Sequence, residues 1–307
     1  MFIRQQAFTG QDAKFLKGGL HCHTTRSDGD LSPEATIVLH AAHGYDFLAL
    51  TDHRKYNFQN FAPESNVLIV PGMEMDAILK SRDGMCFHAV ALGPGAERNG
   101  YKQDEKLDSG VVENQEQFQP IIDDPKAHNN IVFYCHPDWS RTPARSFEKL
   151  EGCFAMEIWN SGCVISCDMD VDNGMVWDEL LIRDKRIYCV AVDDGHAMEH
   201  HYNGWVMVNA EKNVDCILKA LVEGRYYSSC GPEIYDFYVD GEMAYCKCSP
   251  CKKIVFKYGL RPTRVRRPSE GEYLTEAQYN IKGYSYVRVY VEDEQGRRAW
   301  TNPIWLE

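Results

Sequence analysis

Two histidines separated by one residue, His21 and His23, are the first residues of the chain whose types and spacing could do chemistry. They follow Gly18, Gly19 and Leu20, an apolar entry that suggests a short strand. Side chains alternate faces along a strand, so both imidazoles would point the same way. Two imidazoles on one face at a strand end suit a grip on one metal ion. Asp28, in a Ser-Asp-Gly turn, adds a carboxylate at the same rim. The plainer alternative is one buried and one surface histidine with no common task, and only the rest of the chain decides between them.

The rest of the chain repeats the construction. The apolar run Tyr45 to Leu50 ends at Thr51-Asp52-His53, and Val67 to Val70 ends at Pro71-Gly72-Met73-Glu74. His88 lies inside the run Met85 to Gly93, Ile131 to Cys135 ends at His136, and Arg186 to Val192 ends at Asp193-Asp194-Gly195-His196. The strand-like run Phe154 to Trp159 ends at Asn160, a candidate supporting residue. Collected, the donors are His21, His23, Asp28, His53, Glu74, His88, His136, Asp194 and His196, which include six of the eleven histidines. Nine donors exceed what one or two closed tetrahedral sites use; they suit a cluster of three ions with open positions.

The elements that must position these residues read as α/β. Continuous apolar runs without alternation are the mark of strands buried on both faces. Amphipathic stretches at Glu113 to Asn129, Ser146 to Glu151, Asn173 to Asp184 and Val214 to Gly224 separate several of them. Alternation of this kind implies a parallel sheet, and donors at the carboxyl ends of strands favour a barrel over an open sheet. Pro33 to His43 reads as a helix capped by Ser32, with His40 and His43 as surface or helix-packing histidines. From about Pro232 the texture changes to short alternating strands with turns at Asp240-Gly241 and Gln295-Gly296, and only Thr275 to Tyr279 looks helical. Residues 1–231 are therefore expected to form an α/β barrel, and residues 232–307 a small β-sandwich.

The formal charge of -12 argues against a protein that coats nucleic acid. Met1 to Arg4 runs into polar residues without a leader pattern, no stretch is apolar enough to span a bilayer, and a cytoplasmic protein is the simplest expectation. The twelve cysteines are scattered; Cys246, Cys248 and Cys251 lack a fourth partner for a zinc knuckle and are read as free thiols. Arg261, Arg264, Arg266 and Arg267 form one basic cluster, read as a solvated loop face.

With these motifs in place, the chain resembles the polymerase and histidinol phosphatase (PHP) family of metal-dependent hydrolases. The resemblance lies in His-Cys-His with Ser-Asp-Gly-Asp-Leu-Ser-Pro-Glu, Leu-Thr-Asp-His, Pro-Gly-Met-Glu, Phe-His-Ala-Val-Ala-Leu-Gly, Cys-His-Pro and Asp-Asp-Gly-His, over the first three quarters of the chain. It implies a distorted barrel of seven strands, a (β/α)7 barrel, binding two to three divalent ions such as zinc, manganese or iron. Carried over by motif, His21, His23, Glu74 and Asp194 would hold a first ion; Glu74 would bridge to a second at His88 and His136; Asp28, His53 and His196 would hold a third. Asp194, rather than its neighbour Asp193, fits the family's Asp-x-His spacing. The ending from Tyr286 to Trp305 resembles the CehA/McbA-like branch, whose named members include carbamate-ester hydrolases.

The expected chemistry is hydrolysis by activated water, with Glu74 and Asp194 as catalytic residues and no protein nucleophile. Arg26 and Arg141 at the same rim are the substrate-binding candidates, with Arg54 and Lys55 behind them. A small phosphate ester is the expected substrate, with carboxyl or carbamate esters as the alternative and a non-catalytic metal-binding module as the second. No membrane and no nucleic-acid polymer is expected as a partner.

Overall fold

The computed structural model describes residues 5–8, 14–80, 85–108, 110–169, 172–259 and 263–306. Met1 to Arg4 and Arg261 lie outside the described residues. Among the described residues the architecture is mixed α/β with three sheets. A six-stranded sheet runs in the order Tyr188–Val192, Cys153–Asn160, Ile131–Tyr134, Cys86–Leu92, Gly72–Leu79, Gly110–Val112. A ten-stranded sheet runs Thr263–Arg266, Lys253–Lys257, Tyr286–Glu292, Arg298–Thr301, Tyr226–Ser229, Trp205–Asn209, Phe15–Gly19, Phe47–Leu48, Leu68–Ile69, with Ile304–Trp305 added beside Tyr286–Glu292. The third sheet has four strands, Gln5–Gln6, Ile234–Asp240, Met243–Cys251 and Leu274–Asn280.

The sheets are not purely parallel. Phe15–Gly19, Phe47–Leu48 and Leu68–Ile69 pair in parallel, as do Ile131–Tyr134, Cys153–Asn160 and Tyr188–Val192. Cys86–Leu92, however, is antiparallel to both of its neighbours, Gly72–Leu79 and Ile131–Tyr134. Only residues 80–85 separate it from Gly72–Leu79, too few for the crossover that a parallel pair needs.

The ladders do not close into a continuous barrel. The six-stranded and ten-stranded sheets meet instead at isolated parallel bridges, Cys22 with Gly195 and His53 with Glu74. Backbone bonds fasten the two seams: Asp194 N–H donates to His21 O at 3.1 Å, and Glu74 N–H donates to Thr51 O at 3.0 Å. Both seams fall at strand ends that carry expected donors. Beneath them, Leu20, Phe47 and Val70 from one sheet pack with Val90, Phe133 and Val190 from the other in a single core. Gly18 makes that closeness workable, since a Cβ there would sit 1.9 Å from the Phe47 ring.

Helices Pro33–Ala42, Gln119–Ala127, Gly174–Ile182 and Val214–Val222 fall within the stretches expected to be helical. Ser32 caps the first of them, accepting from Ala35 N–H. The C-terminal part is β-rich, and Phe237, Ala244, Ile254, Phe256, Val287 and Val289 share one core there. Thr275 to Tyr279 is a correction: Leu274–Asn280 is a strand, paired antiparallel with Met243–Cys251. Its Glu, Ala and Gln favour helix, but ladder pairing outweighs that weak local preference. Helix Gly174–Ile182 is tied to the C-terminal strands by Asp178, which faces buried Arg288 and lies 2.6 Å from Lys257 Nζ. No helix among the described residues is long and apolar enough to cross a membrane.

Candidate metal centre

The strand bearing Leu20 ends in the alternation His21, Cys22, His23, and both histidines point into one buried pocket. His21 Nε2 and His23 Nε2 are 3.1 Å apart. Glu74 Oε2 lies 3.2 Å from the first and 3.1 Å from the second, and Asp194 Oδ1 lies 3.3 and 3.1 Å from them. Edges of this length are those of a tetrahedron whose centre lies about 2 Å from each corner, the distance at which zinc meets imidazole and carboxylate.

The other five expected donors gather around this tetrad. Glu74 Oε1 meets His88 Nδ1 at 2.8 Å and His136 Nε2 at 3.4 Å. His53 Nδ1 is 3.1 Å from Glu74 Oε2, while its Nε2 is 3.6 Å from Asp28 Oδ2. Asp28 Oδ1 is 3.5 Å from His196 Nε2. The groups His21–His23–Glu74–Asp194, His53–Glu74–His88 and His23–Asp28–His53–His196 each bring their donor atoms within 4.8 Å of one another. All nine residues thus surround one cavity of about 290 Å³ or stand directly behind it.

Backing hydrogen bonds aim the rings. His21 Nδ1 donates to Glu157 Oε1 at 2.7 Å, His136 Nδ1 to Ser140 Oγ at 2.9 Å, and His196 Nδ1 to the Asp194 carbonyl at 2.9 Å. In each ring this contact engages the outer nitrogen and turns Nε2 toward the cluster, the arrangement in which an imidazole can give up its Nε2 proton to a metal. His136 and Asp194 have positive φ, 25° and 48°, a conformation that side chains other than glycine adopt at a cost and that collects at functional sites. The same backbone turn separates the two adjacent aspartates. Asp194 Oδ2 accepts from Asn160 Nδ2 at 3.0 Å beside the cluster, whereas the Asp193 carboxylate accepts from the amides of Tyr202, Asn203 and Gly204.

Electrostatics make the pocket a place for cations. Burial opposes a charge on His21, yet Asp194, Glu74 and Glu157 outweigh it and raise its pKa to about 10. Burial is likewise overcome at His23, raised by Asp194, Asp28 and Glu74, and at His88, raised by Glu74. Glu74 and Asp194 stay far below the ordinary carboxylate range, the facing histidines prevailing over burial. His53 is lowered, by burial first. Glu74 Oε2, Asp194 Oδ1 and His53 Nδ1 are buried without hydrogen-bond partners, which is costly unless a cation takes them up. The donor set therefore fits divalent ions.

The candidate substrate residues divide. Arg26 is mostly buried, held by Asp104 and 3.6 Å from Asp52, and lines a neighbouring cavity of about 370 Å³ with Arg54, Lys55 and Lys106. Asp28 and His53 line both cavities, so the two are contiguous. Arg141 is 61% exposed, 3.9 Å from Asp138, and is not among the residues lining either cavity.

Two buried acids behind the donors were not anticipated. Glu157 also accepts from His136 N–H at 2.8 Å and Asn160 Nδ2 at 2.9 Å, joining three strand ends. An ionisable residue inside the apolar run Phe154 to Trp159 was its one sequence signal. Asp52 accepts from Thr24 N–H and Ser27 Oγ and so holds the loop that carries Asp28. Three further residues at the main cavity, Trp139, Ser166 and His200, carried no ligand-like spacing.

No known family matches the chain by sequence, and neither does any curated protein. Among solved structures, the chain is similar to a two-domain protein of Bacteroides vulgatus described as containing a predicted PHP-like metal-dependent phosphoesterase, at 14% identity over 98% of each chain with a TM-score of 0.51. It is also similar to an amidohydrolase of Chromobacterium violaceum solved with bound sulfate and no metal, at 16% identity over 59% of this chain and 88% of that one, TM-score 0.43. At such identities the likeness concerns fold alone, and it rests on the first of these proteins.

Proposed function

We propose that the chain is a metal-dependent hydrolase acting on a small phosphate ester. The observation that carries this reading is the buried tetrad His21, His23, Glu74 and Asp194, in which the two imidazole nitrogens stand 3.1 Å apart and 3.1–3.3 Å from a carboxylate oxygen of each acid that has no hydrogen-bond partner. Glu74 is read as the residue shared between the tetrad and His88 with His136, and Asp28, His53 and His196 as the set nearest the cavity mouth. Two to three divalent ions bound by these residues would polarise an ester oxygen and supply a water acidic enough to attack near neutral pH.

The chain's own side chains supply the rest. The cavity lined by Arg26, Arg54, Lys55 and Lys106 offers positive charge next to Asp28 and His53, which suits a phosphoryl group. His200 Nδ1 accepts from the amides of His196 and Ala197 at 3.3 Å, so its proton sits on Nε2 and is donated to Ser166 Oγ at 2.6 Å. Ser166 is therefore an acceptor rather than an activated nucleophile, and His200 is a proton donor beside the cavity. The likeness in fold to the Bacteroides vulgatus protein agrees with a phosphoesterase of PHP type. We further read residues 1–231 as the distorted barrel and 232–307 as a β-sandwich of the CehA/McbA-like kind. That tail favours carboxyl or carbamate esters as the second reading.

Hydrolysis of phosphomonoesters, phosphodiesters and carboxyl esters under manganese, zinc and iron tests the choice. Phosphate-ester turnover above p-nitrophenyl acetate turnover is expected; acetate turnover well above phosphate under every metal contradicts it.

A further inference from the structure

The strand alternation that aims His21 and His23 at one pocket aims Cys22 at the opposite side. There it meets His40, from helix Pro33–Ala42, and His201, from the segment after Gly195. One donor atom from each lies within 4.8 Å of the others, and all three residues are buried. The Cys22 thiol has the His23 carbonyl at 3.7 Å and His201 Nδ1 at 4.0 Å. His40 and His201 are 1% and 3% exposed, and neither Nε2 has a hydrogen-bond partner.

His40 is pre-set as a ligand. Its Nδ1 donates to the Thr36 carbonyl at 2.7 Å, which leaves the Nε2 lone pair free. That nitrogen faces Asp193 Oδ2 at 3.7 Å, beyond hydrogen-bond length. Gly195 provides the room for His201, since a Cβ there would lie 2.2 Å from its ring. Two tyrosines close the cluster, with the Tyr45 and Tyr202 rings 4.8 and 5.0 Å from the His40 ring and both hydroxyls unpaired. Four orphaned polar atoms around one thiol are a high cost to leave unanswered.

We propose that Cys22, His40 and His201, with Asp193 as the fourth corner, form a separate structural zinc site behind the main cluster. A zinc tetrahedron sets nitrogen–sulfur edges at about 3.6 Å and nitrogen–oxygen edges at about 3.3 Å, and here His201 Nδ1 lies 4.0 Å from Cys22 Sγ and His40 Nε2 lies 3.7 Å from Asp193 Oδ2, each within about 0.5 Å of closing on an ion. A thiolate with two imidazoles selects a borderline-soft ion such as zinc over the harder manganese or magnesium. On binding, the thiol proton passes to solvent and the sulfur becomes a ligand. The ion would pin helix Pro33–Ala42 and the segment carrying His201 to the strand that carries His21 and His23.

Cobalt substitution tests the site independently of catalysis, because none of the nine residues of the main cluster is a cysteine. The full-length protein loaded with cobalt(II) is expected to show a near-ultraviolet sulfur-to-cobalt charge-transfer band that Cys22→Ser abolishes and His40→Gln weakens. Absence of the band in the fully loaded wild-type chain, or its survival in Cys22→Ser, overturns the proposal. Should Cys22→Ser fail to fold, zinc X-ray absorption on Cys163→Ala/Cys167→Ala, which removes the two thiols of the main cavity, gives the answer. A sulfur scatterer at about 2.3 Å from zinc supports the site, and its absence overturns it.

Discussion

Glu157 Oε1 accepts a hydrogen bond from His21 Nδ1 at 2.7 Å, with both side chains fully buried. The carboxylate fixes the ring's orientation and tautomer and raises the basicity of the nitrogen that faces the cluster. Glu157→Gln keeps the volume and removes the charge. It is expected to weaken divalent-ion binding by about 10–100-fold, read by competition with a chelator. Unchanged affinity would mean that Glu157 is a bystander.

Glu74 and Arg141 are expected to separate by orders of magnitude. Glu74 touches the tetrad through Oε2, and His88 and His136 through Oε1, so Glu74→Gln disturbs all of them. Hydrolytic turnover of the ion-loaded protein should fall by roughly a thousandfold or more, about 4 kcal/mol. Arg141, exposed and off both cavities, should cost less than about tenfold as Arg141→Ala. Steady-state kinetics on one phosphate ester compare the two; equal small effects would move catalysis away from the cluster.

The ion-free protein should lose stability as pH rises. His21 has its pKa raised from 6.5 to about 10 in the fold, against burial, by Asp194, Glu74 and Glu157. A raised pKa means that the folded state holds the proton more tightly than the unfolded chain does. The contribution is therefore complete below pH 6.5 and is lost as pH climbs through about 10. Urea midpoints of chelator-treated protein should decline over that window. Ion loading at pH 7 should correspondingly expel protons, seen as heats that differ between buffers of unlike ionisation enthalpy.

Asp178 faces two cations, buried Arg288 and Lys257, and joins a helix to the C-terminal strands. Arg288 also lies over the Trp177 ring at 4.3 Å. Asp178→Ala leaves the guanidinium buried without its partner and should cost about 3–5 kcal/mol in denaturant unfolding. Asp178→Asn, which can still accept a hydrogen bond, should cost less.

The tetrad and the residues around it were legible because metal ligation draws on few residue types, and those residues recur at the ends of apolar runs. His21 and His23 announce themselves by alternation; Glu74 and His136 do so by position. Glu157 was hidden because a lone acid inside an apolar strand has no spacing partner, and its work is done through hydrogen bonds to His21 and His136, which follow other strands, and to Asn160 at the end of its own. The α/β class was legible from run lengths, whereas strand direction at Cys86–Leu92 depended on a short connection that periodicity does not register. His40 illustrates the same limit. Its helix was readable, but Cys22 and His201 reach it only through folding, the first from a strand and the second from a segment far along the chain.

Ions held by the nine-residue cluster are the premise of the hydrolytic function, and an anomalous difference map from crystals grown with manganese or zinc tests them most directly. More than one peak is expected within the cluster, with one bounded by His21, His23, Glu74 and Asp194 and another on the side of Glu74 that faces His88 and His136. A cluster with no peak, or a single peak that extra metal does not add to, would contradict the multinuclear centre and the hydrolytic reading built on it.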